Sequence, residues 1–307
     1  MPTPARTFKI GTRGSPLALW QAHEVRRSLM AAFDLPIEAF EVVVIKVTGD
    51  LVQDRALKEI GGKGLFTREI EEALDVGEID IAVHSMKDMP VLQPEGLLLD
   101  CYLPRADVRD GFVSHVAQGV ADLAQGAVVG SSSLRRRAQL AHRRPDLQLV
   151  EFRGNVQTRM RKLEDGVAQA TFLAMAGLVR LGMAQVARPI EVADMLPAVA
   201  QGAIGVERRV DDARAEAMLA AIHHAPTGVQ LAAERAFLAR LDGSCETPIA
   251  GLAVLDGDQL WLRGEILRPD GSRVIKGEVR GPQADAAALG TGLAADLLAQ
   301  AGKGFFG

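Results

Sequence analysis

The chain of 307 residues carries 35 Lys and Arg against 39 Asp and Glu, a net charge of −4, with 48% hydrophobic and 24% charged side chains. That balance excludes a largely disordered chain and argues against a bulk nucleic-acid binder. No apolar run approaches the ~18 residues of a membrane helix, residues 1–14 lack the apolar core of a secretory signal, and Cys101 and Cys245 alone cannot form a disulfide framework, so the expected compartment is the cytoplasm.

At about 100–200 residues per domain, the length predicts two or three domains, and strand-like and helix-like stretches alternate, which predicts α/β layers. Phe8 to Thr12 reads as a strand, and Ser15-Pro16 as an N-cap with proline at the first helical position. Ala18, Ala22, Val25, Leu29 and Phe33 then mark one apolar helix face. Glu41 to Val47 is β-rich, Gly61 to Gly64 is a glycine loop, Thr67 to Val76 is helical, and Ile79 to His84 is a buried strand running into Ser85-Met86-Lys87-Asp88. Leu103 to Asp107 reads as a crossing between domains.

A second α/β stretch follows. Strands at Ala127 to Val129, Leu147 to Phe152 and Thr171 to Met175 each stop at small or polar residues. Helices at Leu134 to Arg144 and Val156 to Glu164 follow the first two, and Ala176-Gly177 follows the third. Leu196 to Gly202 reads as a return crossing. Thr227 and Gln230 form a capping-box pattern before a helix that Gly243 stops, and Ser244 to Pro248 forms a loop. Strands with turns at Asp256 to Asp258 and Pro269 to Gly271 follow, then a helix from about Asp285 to Gln300. The expected fold is therefore α/β, with two such domains joined by two crossings and a small C-terminal α+β domain. The expected boundaries are 1–103 with 200–222, then 104–199, then 223–307.

Arginine makes up 27 of the 35 basic residues, and Gly130 to Lys162 holds nine basic residues against Asp146 and Glu151. A +7 segment in an acidic chain suits a small polyanionic ligand, because the guanidinium fork matches carboxylates. Arg135, Arg136, Arg153, Arg159 and Arg180 follow strand ends, where open α/β sheets bind ligands. Arg143-Arg144 reads as a solvated helix face. Arg13 with the next helix N-terminus could hold an anion, although a plain surface arginine is as good a reading. Lys63 sits in a glycine loop that is no nucleotide P-loop, because Gly64 follows it. Asp88 could handle a proton or a developing cation, or simply cap a turn. Cys245 lies in a loop open to covalent attachment or is incidental. Cys101 reads as a small buried hydrophobe.

The segment Ile10 to Ala22 (IGTRGSPLALWQA) resembles the opening of the porphobilinogen deaminase (hydroxymethylbilane synthase) family. Gly61 to Phe66, His84 to Asp88, Ser132 to Arg136, Arg153 to Val156, Leu196 to Gly202 and Gly243 to Cys245 match that family in the same order. The resemblance implies the two α/β domains of periplasmic binding proteins and a transferase of porphyrin and heme biosynthesis. That enzyme joins four porphobilinogen molecules into hydroxymethylbilane with loss of ammonia. It implies a dipyrromethane cofactor on a thioether at Cys245, catalysis by Asp88, and no metal or redox cofactor. Cofactor binding then falls on Ser85, Lys87, Asp88, Ser131, Ser133, Arg135 and Arg136. Substrate binding falls on Arg13, Lys63, Phe66, Arg153, Arg159 and Arg180. A cytoplasmic monomer with no nucleic-acid or membrane partner is expected. The chain departs from family habit at Glu59, Ser131, Glu246 and Met89; Ser131 keeps the hydroxyl, and Glu246 would alter the cofactor's surroundings.

Two other readings compete. A non-enzymatic two-domain binder of a small carboxylate needs no Cys245. A nucleic-acid binder acting through Leu134 to Arg144 is opposed by the acidic remainder and by only 4% aromatic residues.

Overall fold

The computed structural model describes residues 6–47, 67–241, 247–302 and 304–306. The chain falls into two compact units, Met1–Arg105 with Ala203–Gly228, and Ala106–Gly202 with Val229–Gly307. The chain thus leaves the first unit after Arg105, within Leu103 to Asp107, and re-enters it at Ala203, directly after Leu196 to Gly202.

The first unit is built on a five-stranded sheet. Its strands are β1 (Phe8–Arg13), β2 (Phe40–Ile45), β3 (Ile81–Ser85), β4 (Leu97–Tyr102) and β10 (Ile204–Arg209), in the order β2-β1-β3-β10-β4. β1 runs parallel to β2 and β3, whereas β10 runs antiparallel to β3 and β4. Helix Pro16–Phe33 begins as its sequence predicts: Ser15 accepts the Ala18 amide and Pro16 occupies the first turn. The helix buries Ala22, Val25 and Leu29 against Phe8, Ile10, Ile81 and Val206, the apolar side of a 3.6-residue period.

The second unit repeats the pattern. β5 (Asp110–Ser114), β6 (Val128–Gly130), β7 (Gln148–Val150), β8 (Ala170–Ala174) and β9 (Arg188–Pro189) lie in the order β7-β6-β8-β5-β9. β6 is parallel to β7 and β8, and β5 is antiparallel to β8 and β9. The same unit carries an antiparallel sheet of β11 (Ile249–Asp256), β12 (Gln259–Leu267) and β13 (Val274–Pro282). Asp256 pairs with Gln259 across the Gly257-Asp258 turn, where Gly257 has φ +61, a conformation glycine adopts without penalty. Helix Ala286–Ala301 packs Leu293 and Leu297 over that sheet beside Gly277. The architecture is α/β, two such sheets with a small C-terminal sheet-and-helix portion.

Strands β4, β5, β9 and β10 and helix Ala213–Ala220 have no counterpart in the sequence reading. The helix carries a legible signal, since Asp212 caps it by accepting the Ala215 amide at 2.9 Å. The capping box at Thr227 is corrected. The helix spans Ala225–Arg240, and His224 Nδ1 accepts the Thr227 amide at 3.3 Å, so Thr227 lies inside the first turn. The Thr227 hydroxyl instead accepts the Arg105 amide at 3.1 Å.

Candidate active site

In the first unit, parallel pairing of β1 and β3 sets their carboxyl ends side by side. Arg13 ends β1 and Ser85 ends β3. A 3-10 turn, Met86–Asp88, follows directly. Met86 and Met89 are buried and pin the turn at both sides, which leaves Lys87 half-buried and Asp88 exposed between them. Gln21 Nε2 donates to Ser85 Oγ at 2.8 Å, and Ser85 Oγ lies 3.1 Å from Gln21 Oε1. Arg13, Ser15, Gln21, His84, Ser85 and Asp88 line one cavity. The structure therefore brings Arg13, Ser85 and Asp88 to one cavity.

Behind the cavity wall, His84 Nε2 lies 3.1 Å from Glu207 Oε2, and both side chains are buried. Burial pushes the nearby Glu71 carboxyl above its ordinary range; a hydrogen bond with Thr67 opposes the shift and the Glu207 charge adds to it. Sequence reasoning did not find Gln21, Glu71 or Glu207.

In the second unit, the basic side chains lie on the loops and helices that follow three strands. β6 ends at Gly130 and the chain continues as three serines. Ser131 Oγ accepts the Ser133 amide at 3.3 Å, Ser132 Oγ accepts the Phe152 amide at 3.0 Å, and Ser133 caps helix Leu134–Arg143. A hydroxyl that accepts keeps its own hydrogen for another partner. After β7, Asn155 caps helix Val156–Glu164. Arg159 Nε donates to Gly154 O at 2.9 Å and Lys162 Nζ to Arg153 O at 3.1 Å. After β8, Arg180 Nη2 donates to Gly202 O at 2.7 Å.

Arg135 and Arg136 are almost entirely buried and share one carboxylate. Arg136 donates to Asp110 Oδ1 from Nε at 3.1 Å and from Nη2 at 2.6 Å, and from Nη1 to Phe172 O at 2.7 Å. Arg135 Nη2 stands 2.8 Å from Asp110 Oδ2, an ion pair out of line for a hydrogen bond, and its Nη1 donates to Leu196 O at 2.8 Å. Burial pushes Asp110 upward, but the two guanidinium charges outweigh it and hold the carboxyl well below the usual range. Burial lowers Arg135. Arg144 is not the solvated side chain expected. It donates to Val120 O, Leu123 O and Asp146 at 2.8, 2.9 and 2.7 Å, because it closes the end of its helix onto a neighbouring loop.

Cys245, Lys63 and Phe66 lie outside the described residues, as do Glu59 and Glu246. Cys101 is buried, and burial, then Asp100, pushes its thiol up to about 12. Among the described residues, no helix is long and apolar enough to cross a membrane.

Two sheets whose strand ends meet capped helices, hydroxyls and guanidiniums define the class: an α/β protein of the kind that takes its ligand at strand ends. Comparison with known proteins narrows it. Residues 8–217 match the family model "Porphobilinogen deaminase, dipyromethane cofactor binding domain", and residues 229–299 match its C-terminal domain. A porphobilinogen deaminase of Paracoccus denitrificans (strain Pd 1222) is 70% identical over 307 residues, all of this chain and 98% of that one. Solved structures with some likeness include the periplasmic aliphatic sulphonate binding protein SsuA of Escherichia coli. It is 16% identical, covers 78% of this chain and 70% of its own, and has a TM-score of 0.42. A TRAP solute binding protein of Pseudomonas putida F1 with bound D-glucuronate is 11% identical over 76% of this chain and 81% of its own, at 0.41. The full-length sequence matches decide the matter, and the chain belongs to the porphobilinogen deaminase family. It is a transferase that polymerises porphobilinogen in tetrapyrrole biosynthesis, and its larger family domain binds dipyrromethane. The non-enzymatic carboxylate binder is not favoured.

The residues present fit that cofactor. Dipyrromethane carries carboxylates, and Arg135 Nε and Arg153 Nη1 are buried N–H groups with no hydrogen-bond partner among the described residues. An unpaired buried donor costs about 1–3 kcal/mol, which a ligand oxygen would relieve.

Proposed function

We propose that the chain joins four porphobilinogen molecules head to tail on a dipyrromethane held by a thioether to Cys245 Sγ, with ammonia released at each addition. The observation that carries this reading is the set of strand ends carrying basic side chains, with buried N–H donors on Arg135 and Arg153 left for an anion. When bound, the dipyrromethane supplies the pyrrole carbon from which the product grows. Ser85, Lys87, Ser131, Ser133, Arg135 and Arg136 hold its carboxylates by charge-assisted hydrogen bonds. Arg13, Lys63, Arg153, Arg159 and Arg180 take the acetate and propionate of porphobilinogen, and Phe66 packs on its ring. Asp88 faces the reacting centre and contacts the cofactor as well. Its carboxylate oxygens stabilise the positive charge that develops on the substrate as ammonia leaves, and its Oδ receives and returns the proton moved in coupling.

This reading takes one chain as the working unit, in the reducing cytoplasm, where a lone loop thiol stays available for attachment. It divides the chain into a domain of 1–103 with 200–222 bearing Asp88, a domain of 104–199 bearing the arginines, and a domain of 223–307 bearing Cys245. Intact-mass measurement of the purified protein tests the tether. The parent should carry a two-pyrrole adduct and Cys245→Ser should show the bare polypeptide mass; an adduct that survives the substitution overturns the assignment.

A further inference from the structure

Asp110 is a fully enclosed carboxylate beside Arg135 and Arg136, with 0% exposure, and the sequence motifs do not include it. It opens β5, an antiparallel strand next to β8. Its two oxygens face both guanidiniums, Oδ1 toward Arg136 and Oδ2 toward Arg135. Gln201 closes a third side, with Nε2 donating to Oδ1 at 3.0 Å and to Val108 O at 2.8 Å. Farther along the same network, Gln139 donates to Leu196 O at 2.9 Å, the carbonyl that Arg135 also grips.

Two consequences follow from charge and donor geometry. A guanidinium has five N–H donors in a rigid plane, so fixing two of its edges dictates where the remaining N–H groups point. Arg136 is fixed through Nε, Nη1 and Nη2 and keeps one hydrogen on each terminal nitrogen. Arg135 is fixed through Nη1 and Nη2 and, among the described residues, its buried Nε–H has no hydrogen-bond partner. One carboxylate opposite two guanidiniums also leaves a surplus positive charge in a buried cluster. The other carboxylate whose field reaches Arg135 is Glu265, which is itself paired with Lys276 at 2.9 Å. Among the described residues, the cluster is therefore rigid and short of one negative charge.

We infer that Asp110 is a positioning residue, which holds Arg135 and Arg136 in the orientation that receives ligand carboxylates and neutralises only one of them. The inference rests on the proposed role of those two arginines in cofactor binding. A flexible arginine pair would present the same charge without the geometry, and most of the gain of a bidentate contact is lost when the fork must be ordered on binding.

The test uses the full chain purified with its cofactor and read by intact mass, by Ehrlich colour, and by KM and kcat for porphobilinogen. Asp110→Asn keeps volume and one acceptor oxygen but removes the charge. Its expected signature is a folded protein with cofactor occupancy reduced by about tenfold or more, the scale of one lost charged hydrogen bond. The loaded fraction should keep a kcat within about threefold of the parent, because Asp110 does not meet the reacting atoms. A purely structural role would lower the melting temperature and leave occupancy of the folded protein unchanged, which overturns the inference. Arg135→Leu and Arg136→Leu separate the two readings. If both load fully, the proposed cofactor role of the arginines fails, and the inference with it. If they are empty while Asp110→Asn is full, only the positioning role fails. Should Asp110→Asn not fold, Gln201→Leu loosens the carboxylate on one side only. It should lower occupancy about two- to fivefold, and parent-like occupancy refutes the positioning role.

Discussion

Adding one methyl group at Gly130 tests whether the close approach of β6 and β7 is what sets the Ser131 and Arg153 strand ends. A Cβ built on Gly130 would lie 2.9 Å from Phe152 Cβ and closer still to Phe152 Cγ and Cδ2. Ordinary carbon contacts lie at about 3.5–4.0 Å, so the Phe152 side chain must retreat by roughly 1 Å or more. It has nowhere to go, because Phe152 is fully buried among Val113, Leu163, Leu173 and Leu178. Turning the ring does not relieve the clash at its Cβ, so the backbone at 152 must shift and carry Arg153 with it. Overpacking of this kind costs about 1–3 kcal/mol, which in a domain of this size lowers the melting temperature by about 2–12 °C. Gly130→Ala should therefore melt lower than the parent in a thermal scan. Gly130→Ala should cost less in a Phe152→Ala background than in the parent, because the two nearest atoms, Phe152 Cγ and Cδ2, are then gone. A single variant that melts with the parent, or an equal loss in both backgrounds, would refute this account of the junction.

Two further outcomes are expected. His84→Leu leaves the buried Glu207 without its imidazole, so stability should fall by about 1–3 kcal/mol, the cost of a buried polar group left unpaired; His84→Leu with Glu207→Leu should recover most of it, and a single variant as stable as the parent contradicts the pairing. Glu71 has a carboxyl raised by burial, so its protonated form favours folding and that contribution is lost as pH rises through the folded value. Glu71→Gln should be the more stable protein at neutral pH and gain nothing near pH 4, about where the unfolded carboxyl titrates. A gain that does not change with pH would show that Glu71 is not the group responsible.

The local signals in the chain were enough for the junctions. Ser15 caps its helix as read, and Ser133 and Asn155 cap the helices expected to follow their strands; a hydroxyl or amide three residues before an amide is a short-range pattern. The order of the motifs, the arginine-rich segment and the break into two α/β sheets were legible for the same reason, and Arg13, Ser85 and Asp88 do meet at one cavity. Thr227 was misread because the cap there is His224, a side chain outside the usual capping set.

What only the tertiary structure decided is which buried groups meet. Asp110 reaches Arg136 across 26 residues, Gln201 reaches Asp110 across 91, and His84 reaches Glu207 across 123. No periodicity or cap marks such partners, since their contact depends on β5 and β10 entering their sheets antiparallel and beside strands distant in sequence. Residue type and position marked Arg135 and Arg136 as binders of ligand carboxylates. The fold also buries both against the Asp110 carboxylate, because a guanidinium removed from water is costly without a counter-charge nearby.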